Sequence, residues 1–236
     1  MRVMKLLGAC ASLWLLAGCA ASVHPLCDPA TAEPDKRLVG MWERRDGNEG
    51  ERVSYLHIAR EAKRPLDASR SEPEPGLMRC WATGHDEKSL LGDDAGGARL
   101  LSTRIGYVDY ASIVIDDLAQ REATVGVEPA NSPAAEQSPP VDPARKPRFL
   151  LVRYDVTDDV LVVWPANQDA VADSIQSGRI AGVARAKVPR PGKLDFGKWE
   201  EVTLTATTAE LRAFFEAGGA EKWFNEESKT VYHRLR

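Results

Sequence analysis

The feature that most restricts the fold is a series of short segments in which apolar and polar side chains alternate. A period of two is typical of a strand with one buried face. The clearest pair is 148–156 and 160–164, joined by a turn at Thr157-Asp158-Asp159. The second segment is apolar throughout, which predicts burial on both sides. The first segment places four apolar side chains on one face: Leu150, Val152, Tyr154 and Val156.

Similar segments recur along the chain and predict about nine mainly antiparallel strands. The others lie at 38–43, 52–59, 77–83, 99–105, 107–115, 180–188, 202–206 and 230–235. Two short helices are also expected. Asn167 can cap a helix over 168–177 that ends at Gly178, and Thr207 with Glu210 fits a capping box that begins a second helix. The expected fold class is therefore α+β and β-rich.

The distribution of prolines divides the chain into one domain and two irregular segments. Residues 37–236 form the predicted domain. It contains six prolines and few bulky apolar residues over 119–147, where we expect a disordered insertion. Residues 19–36 contain Pro25, Pro29 and Pro34 and are predicted to form an extended tether.

The first 18 residues have the shape of an export signal. Arg2 and Lys5 precede an apolar stretch over 6–16, and small residues follow it. The next cysteine completes Leu16-Ala17-Gly18-Cys19, which resembles the lipobox of bacterial lipoproteins. The resemblance implies cleavage before Cys19 and attachment of membrane lipid to its sulfur. Ala20 resembles the outer-membrane sorting pattern, so we expect an outer-membrane anchor facing the periplasm. The alternative is an ordinary secretory signal in which Cys19 has no role.

Composition argues against several functional classes. The formal net charge is −4, and loss of Arg2 and Lys5 with the signal makes it −6. Lys and Arg are not clustered, so nucleic-acid binding is not expected. No nucleophile elbow, zinc helix or phosphate loop is present, so we predict no catalytic residue and no cofactor. The densest set of metal-ligand types, His85-Asp86-Glu87, is better explained as a solvated loop, and no metal is expected.

Two cysteines remain in the exported chain after Cys19. An even pair in an oxidising compartment favours a disulfide between Cys27 and Cys80. Two separate thiols are the alternative.

One motif in the first predicted strand carries a second resemblance. Gly40-Met41-Trp42 resembles the G-x-W that opens lipocalin-like barrels. In those barrels the Trp packs beneath an Arg from a late strand, and Arg234 is the candidate here. The predicted helix at 168–177 departs from that family's pattern. Trp42 as an ordinary core residue is the alternative.

These observations favour a non-enzymatic, lipid-anchored binding module for an apolar ligand or another envelope protein. A structural role, in which 119–147 contacts a partner, is a second hypothesis. An envelope hydrolase with a dispersed catalytic set is a third, and it requires a nucleophile next to a base.

The lipobox generates a direct prediction. Cys19→Ser removes the sulfur that accepts the lipid, so the variant is expected to accumulate as an unlipidated, uncleaved precursor. Intact mass measurement of membrane fractions checks this, with Cys10→Ser as the control that matures normally. Normal maturation of the Cys19→Ser variant contradicts the assignment.

Overall fold

The computed structural model describes residues 20–45, 53–60, 76–84, 98–114, 147–187 and 198–236. The signal segment, Cys19 and His85-Asp86-Glu87 lie outside these ranges. Residues 119–146 of the insertion predicted at 119–147 also lie outside these ranges.

The described residues form a single sheet of eleven strands. In chain order, β1 to β11 are Ala21–Ser22, Gly40–Arg45, Val53–Arg60, Leu77–Gly84, Ala98–Ile105, Val108–Val114, Phe149–Val156, Val160–Pro165, Gly182–Ala186, Trp199–Leu204 and Thr230–Arg234. Two α-helices and two single 3₁₀ turns accompany them. Helix α1 is Gln168–Gln176, helix α2 is Thr208–Glu216, and the turns are Glu221–Trp223 and Glu226–Ser228.

Eight of the strands close into an antiparallel barrel. Its order is β2-β3-β4-β5-β6-β7-β8-β11, and pairing of β6 with β7 and of β11 with β2 completes the circle. The predicted β-rich α+β class is confirmed, and the barrel agrees with the lipocalin-like resemblance. A closed barrel leaves no strand edge among its members, because each strand has a neighbour on both sides.

The other three strands extend the sheet at one edge of the barrel. Strand β8 pairs with β7 only as far as Val152, and β1 takes the same edge at Leu150 and Phe149. Strand β1 then runs parallel to β10, which pairs with β9. The sheet is therefore mainly antiparallel, as predicted, with one parallel pair.

The segment between β8 and β11 explains why a helix interrupts the strand pattern. It contains α1, β9, β10 and α2, while β8 and β11 pair directly with each other in the barrel. Both helices begin as predicted. The Asn167 side chain accepts from the Ala170 amide, and Thr207 and Glu210 form the capping box. The predicted helix is thus an insertion outside the barrel.

Strand alternation separates two apolar cores. The inner core takes residues from all eight barrel strands, including Trp42, Met78, Leu100, Val152 and Leu161. The outer core lies between the outer faces of β4 to β8 and the helices, with Leu101, Leu151, Leu211, Phe215 and Trp223 among its members. The four predicted residues of β7 lie together on the inner face.

The predicted tether is wrong for residues 20–36. Ala20 is 2 % exposed and Leu26 is completely buried in the outer core. The Leu26 amide donates to the buried Ser112 hydroxyl at 3.0 Å. This segment packs because it covers apolar residues on the outer face of the barrel, which its proline content alone does not indicate.

The predicted Cys27–Cys80 disulfide is absent, and both thiols are buried. Cys27 belongs to the outer core, where its Sγ lies 3.8 Å from the carbonyl oxygen of Ser102. Cys80 belongs to the inner core. An even number of cysteines in the sequence does not indicate which of the two cores each cysteine joins. Burial raises the pKa of Cys27 to about 11, which keeps this thiol protonated at neutral pH.

Packing of the 20–36 segment is testable by stability measurements. Leu26→Ala is expected to lower the free energy of unfolding by about 2–5 kcal/mol, because it removes a fully buried side chain. Chemical denaturation of the full chain measures this. The exposed Glu33→Ala in the same segment is the control, with a change within about 0.5 kcal/mol. Equal stability of both variants would mean that the segment does not pack.

Candidate functional site

The interior of the barrel is the concave region that the fold encloses. Alternation and register place one set of side chains from each strand on its inner face. That face is apolar over most of its length, because its buried members are mainly aliphatic. The described side chains differ between its two ends.

At one end, Trp42 and Arg234 close the barrel, and we call this the sealed end. The Arg234 guanidinium lies over the Trp42 ring, with its central carbon 4.1 Å from the ring centroid. The two residues are register partners across β2 and β11. This is the contact that the lipocalin-like resemblance implies. A cation over an indole face is attracted by the negative face of the ring.

Arg234 also donates hydrogen bonds to three backbone carbonyl groups at the sealed end. It donates to Val39 at 2.9 Å, to Asp158 at 2.6 Å and to Arg37 at 2.5 Å. The glycine of the G-x-W motif allows the Arg234 side chain to lie close to the backbone of β2. Gly40 has a φ of 148°, and a Cβ there would lie 2.8 Å from Arg234 Nη1. A side chain at position 40 would therefore displace the arginine.

A charged network surrounds this closure where residues 33–39 cross the barrel. Arg37 bridges the carboxylates of Asp35 and Asp109 at 2.7 Å each. Arg104 also contacts Asp109 through two nitrogens, and the Tyr154 hydroxyl donates to Asp35 at 2.9 Å. Each carboxylate thus has a cationic partner, which offsets the desolvation of the charges.

The network stabilises the ionised form of Asp35 and the protonated form of Tyr154. Burial alone would raise the pKa of Asp35, but hydrogen bonds from Arg37 and Tyr154 lower it below its usual value. Burial and the Asp35 charge raise the pKa of Tyr154. Both directions keep Asp35 ionised and Tyr154 protonated at neutral pH, so the network is structural in character.

The opposite end of the barrel, which we call the far end, has a different lining. Ile113 on β6 and Val163 on β8 lie against the inner core but are only partly buried. Arg44 follows Trp42 by two residues and so shares the inner face, opposite Ser54 on β3. In the described strands, the far end therefore combines partly exposed apolar side chains with Arg44.

Among the side chains that the structure describes on the outer faces of β2, β3, β4 and β11, Leu77 alone belongs to the outer core. Here His57 stacks on Trp81 with ring centroids 5.2 Å apart, next to Met41, which is 40 % exposed. His57 and His233 both lie on the outer face of the barrel, and His233 is exposed.

Three serine hydroxyls in the described residues are completely buried. The completely buried hydroxyls of Ser22, Ser112 and Ser174 bond to backbone groups or to Trp223 and Arg179 side chains. No histidine base is among these partners. Across the same described ranges, no three His, Cys, Asp or Glu side chains group as metal ligands would. Nor does any helix there reach the length and apolarity required to span a bilayer.

Sequence reasoning identified the closing pair but missed the other charged residues of the barrel. Asp109 and Arg104 share the inner face of neighbouring strands, at 104↔109 in the register. The signal in the sequence was Asp109, a charged residue that alternates with the inward-facing Ala111 and Ile113. Arg44 was missed because the first strand was predicted to end at residue 43.

Comparison of the chain with protein-family models, curated proteins and solved structures finds no match.

The sealed end yields a stability prediction. Arg234→Lys keeps the charge but loses the planar group that stacks on Trp42 and reaches three carbonyls. We expect it to lower the free energy of unfolding by about 1–3 kcal/mol in chemical denaturation. Arg236→Lys is the matched control, because Arg236 is exposed and pairs with the carboxylate of Asp159. A change no larger than the control's would show that Arg234 does not stabilise the closure.

Proposed function

We propose that this chain is an exported lipoprotein, anchored through Cys19, whose barrel binds an apolar ligand without catalysing a reaction. The lipobox pattern supports the anchor, and the apolar inner face of a closed barrel supports the ligand. The proposed location is the outer membrane, with the domain facing the periplasm, as the residue after Cys19 suggests.

The observation that carries the ligand proposal is the partial exposure of inward-facing Leu56, Ile113 and Val163. Apolar surface in contact with water is unfavourable by roughly 25 cal/mol per Å² relative to burial. A ligand with an apolar chain would remove these side chains from water. Small barrels with interior space hold ligands in the same way.

The start of the described chain bears on how the anchor would hold the domain. Ala20 is already buried in the outer core, and β1 begins at the next residue. A lipid on Cys19 would therefore leave almost no spacer between bilayer and domain. The barrel would lie at the membrane surface, where apolar ligands are concentrated.

A second candidate function is assembly with an envelope protein. It is favoured by the outer face around Met41 and the His57–Trp81 stack, which neither helix covers. Exposed apolar patches of this kind often mark protein contacts.

Native mass spectrometry of protein purified from membranes tests the proposal with octadecanol as a neutral apolar probe. The wild-type chain is expected to carry lipid on Cys19 and to bind octadecanol. Val163→Trp enlarges an inward-facing side chain at the far end and should reduce octadecanol occupancy about tenfold or more.

Val183→Trp is the matched control, because Val183 is exposed on β9 outside the barrel and should leave octadecanol binding unchanged. Absence of octadecanol binding to the wild-type chain, or equal binding by both tryptophan variants, would contradict a ligand site inside the barrel.

A further inference from the structure

We propose that the outer edge of β9 is the site at which a second copy of this chain adds an antiparallel strand. Strand β9, Gly182–Ala186, ends the order of the sheet and pairs with β10 alone. Each of the other described strands has a neighbour on both sides. A free strand edge presents a row of backbone donors and acceptors to which another strand can bind. This inference concerns the region outside the barrel and does not depend on the proposed ligand or lipid anchor.

Alternation along β9 determines which backbone groups lie on the free edge. The Thr205 amide donates to the Ala181 carbonyl and the Lys187 amide donates to the Lys198 carbonyl, both at 3.0 Å. In an antiparallel pair, alternate residues exchange hydrogen bonds with the neighbouring strand. The residues with odd numbers therefore bond to β10, and those with even numbers turn their N–H and C=O groups away from it. The residues on the free edge are Gly182, Ala184 and Ala186.

The free edge is open to an incoming strand. Within the described part of the chain, no hydrogen bond reaches the outward backbone groups of β9. Helix α1 covers one face of the strand, since a Cβ at Gly182 would lie 2.7 Å from Ile175 and Ala184 packs against the outer core. Ala186 is exposed, and β9 contains no proline, a residue with which natural sheets protect their edges.

A second copy fits this edge because the edge is complementary to itself. Two β9 strands can pair antiparallel about a two-fold axis through Ala184. Gly182 of each copy then lies opposite Ala186 of the other, and every outward N–H and C=O of the edge gains a partner. A contact of this symmetry closes at two copies and joins the two sheets into one.

The same register keeps like charges apart. On the face of β9 opposite α1, it places Arg185 beside Val183 of the second copy. Val183 is 40 % exposed and can pack against the aliphatic part of the arginine side chain. Arg185 keeps its contact with Glu201 on β10, at 3.4 Å. A two-fold axis through Arg185 would instead place two arginines directly opposite each other, which is unfavourable.

Native mass spectrometry of the full chain measures the dimer and its response to charge at position 183. The wild type is expected to dimerise with a dissociation constant below about 1 mM, a range that suits a small interface. Val183→Glu places a carboxylate opposite Arg185 at two symmetry-related sites and should tighten the dimer about fivefold. Val183→Lys should weaken it by about the same factor. Val183→Thr, which adds no charge, is the matched control and should leave the dimer unchanged.

A second pair of variants tests the backbone contact itself. Ala186→Pro removes an outward N–H without removing a hydrogen bond to β10, because proline is tolerated at a free strand edge. Each dimer loses two hydrogen bonds, so its dissociation constant should rise about tenfold. Ala186→Ser keeps the N–H and the exposed position and should dimerise as the wild type does.

Three results would overturn the proposal. The first is a wild-type chain that remains monomeric up to about 1 mM. The second is equal dimer affinity of Val183→Glu and Val183→Lys, and the third is equal affinity of Ala186→Pro and Ala186→Ser, since a dimer that ignores these changes forms elsewhere. If Val183→Lys or Ala186→Pro does not fold, Val183→Glu decides the question, because only a folded chain can gain affinity.

Discussion

Closure of the barrel depends on the contact between its first and last strands, and Arg234 is the residue that fastens it. Strands β2 and β11 lie far apart in sequence, so no local turn holds them together. The Arg234 guanidinium covers the Trp42 ring and donates to the backbone of Arg37, Val39 and Asp158. One planar cation thereby joins β2, the segment before it and the turn between β7 and β8.

This closure gives the two ends of the barrel different characters. The sealed end contains Trp42 and a paired network around Asp35 and Asp109, so its polar groups are satisfied within the protein. At the far end, the inward-facing Ile113 and Val163 are partly exposed. The proposed ligand would bind at this end. The two described helices pack against the outer core, on the outside of the barrel.

Part of this architecture follows from the sequence because the relevant signals are local. Alternation in 148–156 predicted the inner face of β7, and the side chains of Asn167 and Thr207 predicted both helix starts. The packing of 20–36 was not predictable from its prolines, since Leu26 is buried only because distant strands present an uncovered surface. Likewise, the number of cysteines does not determine that Cys27 and Cys80 join separate cores.

Hydrogen–deuterium exchange of the full chain tests the central claim, a barrel closed between β2 and β11, most directly. The Leu235 amide donates to the Met41 carbonyl at 2.9 Å across that junction. The account predicts that this amide and those of β2 and β11 exchange as slowly as the amides of β7, because the barrel opens as one unit. Fast exchange of β2 and β11 alongside a protected β7 would show an open sheet and contradict the account.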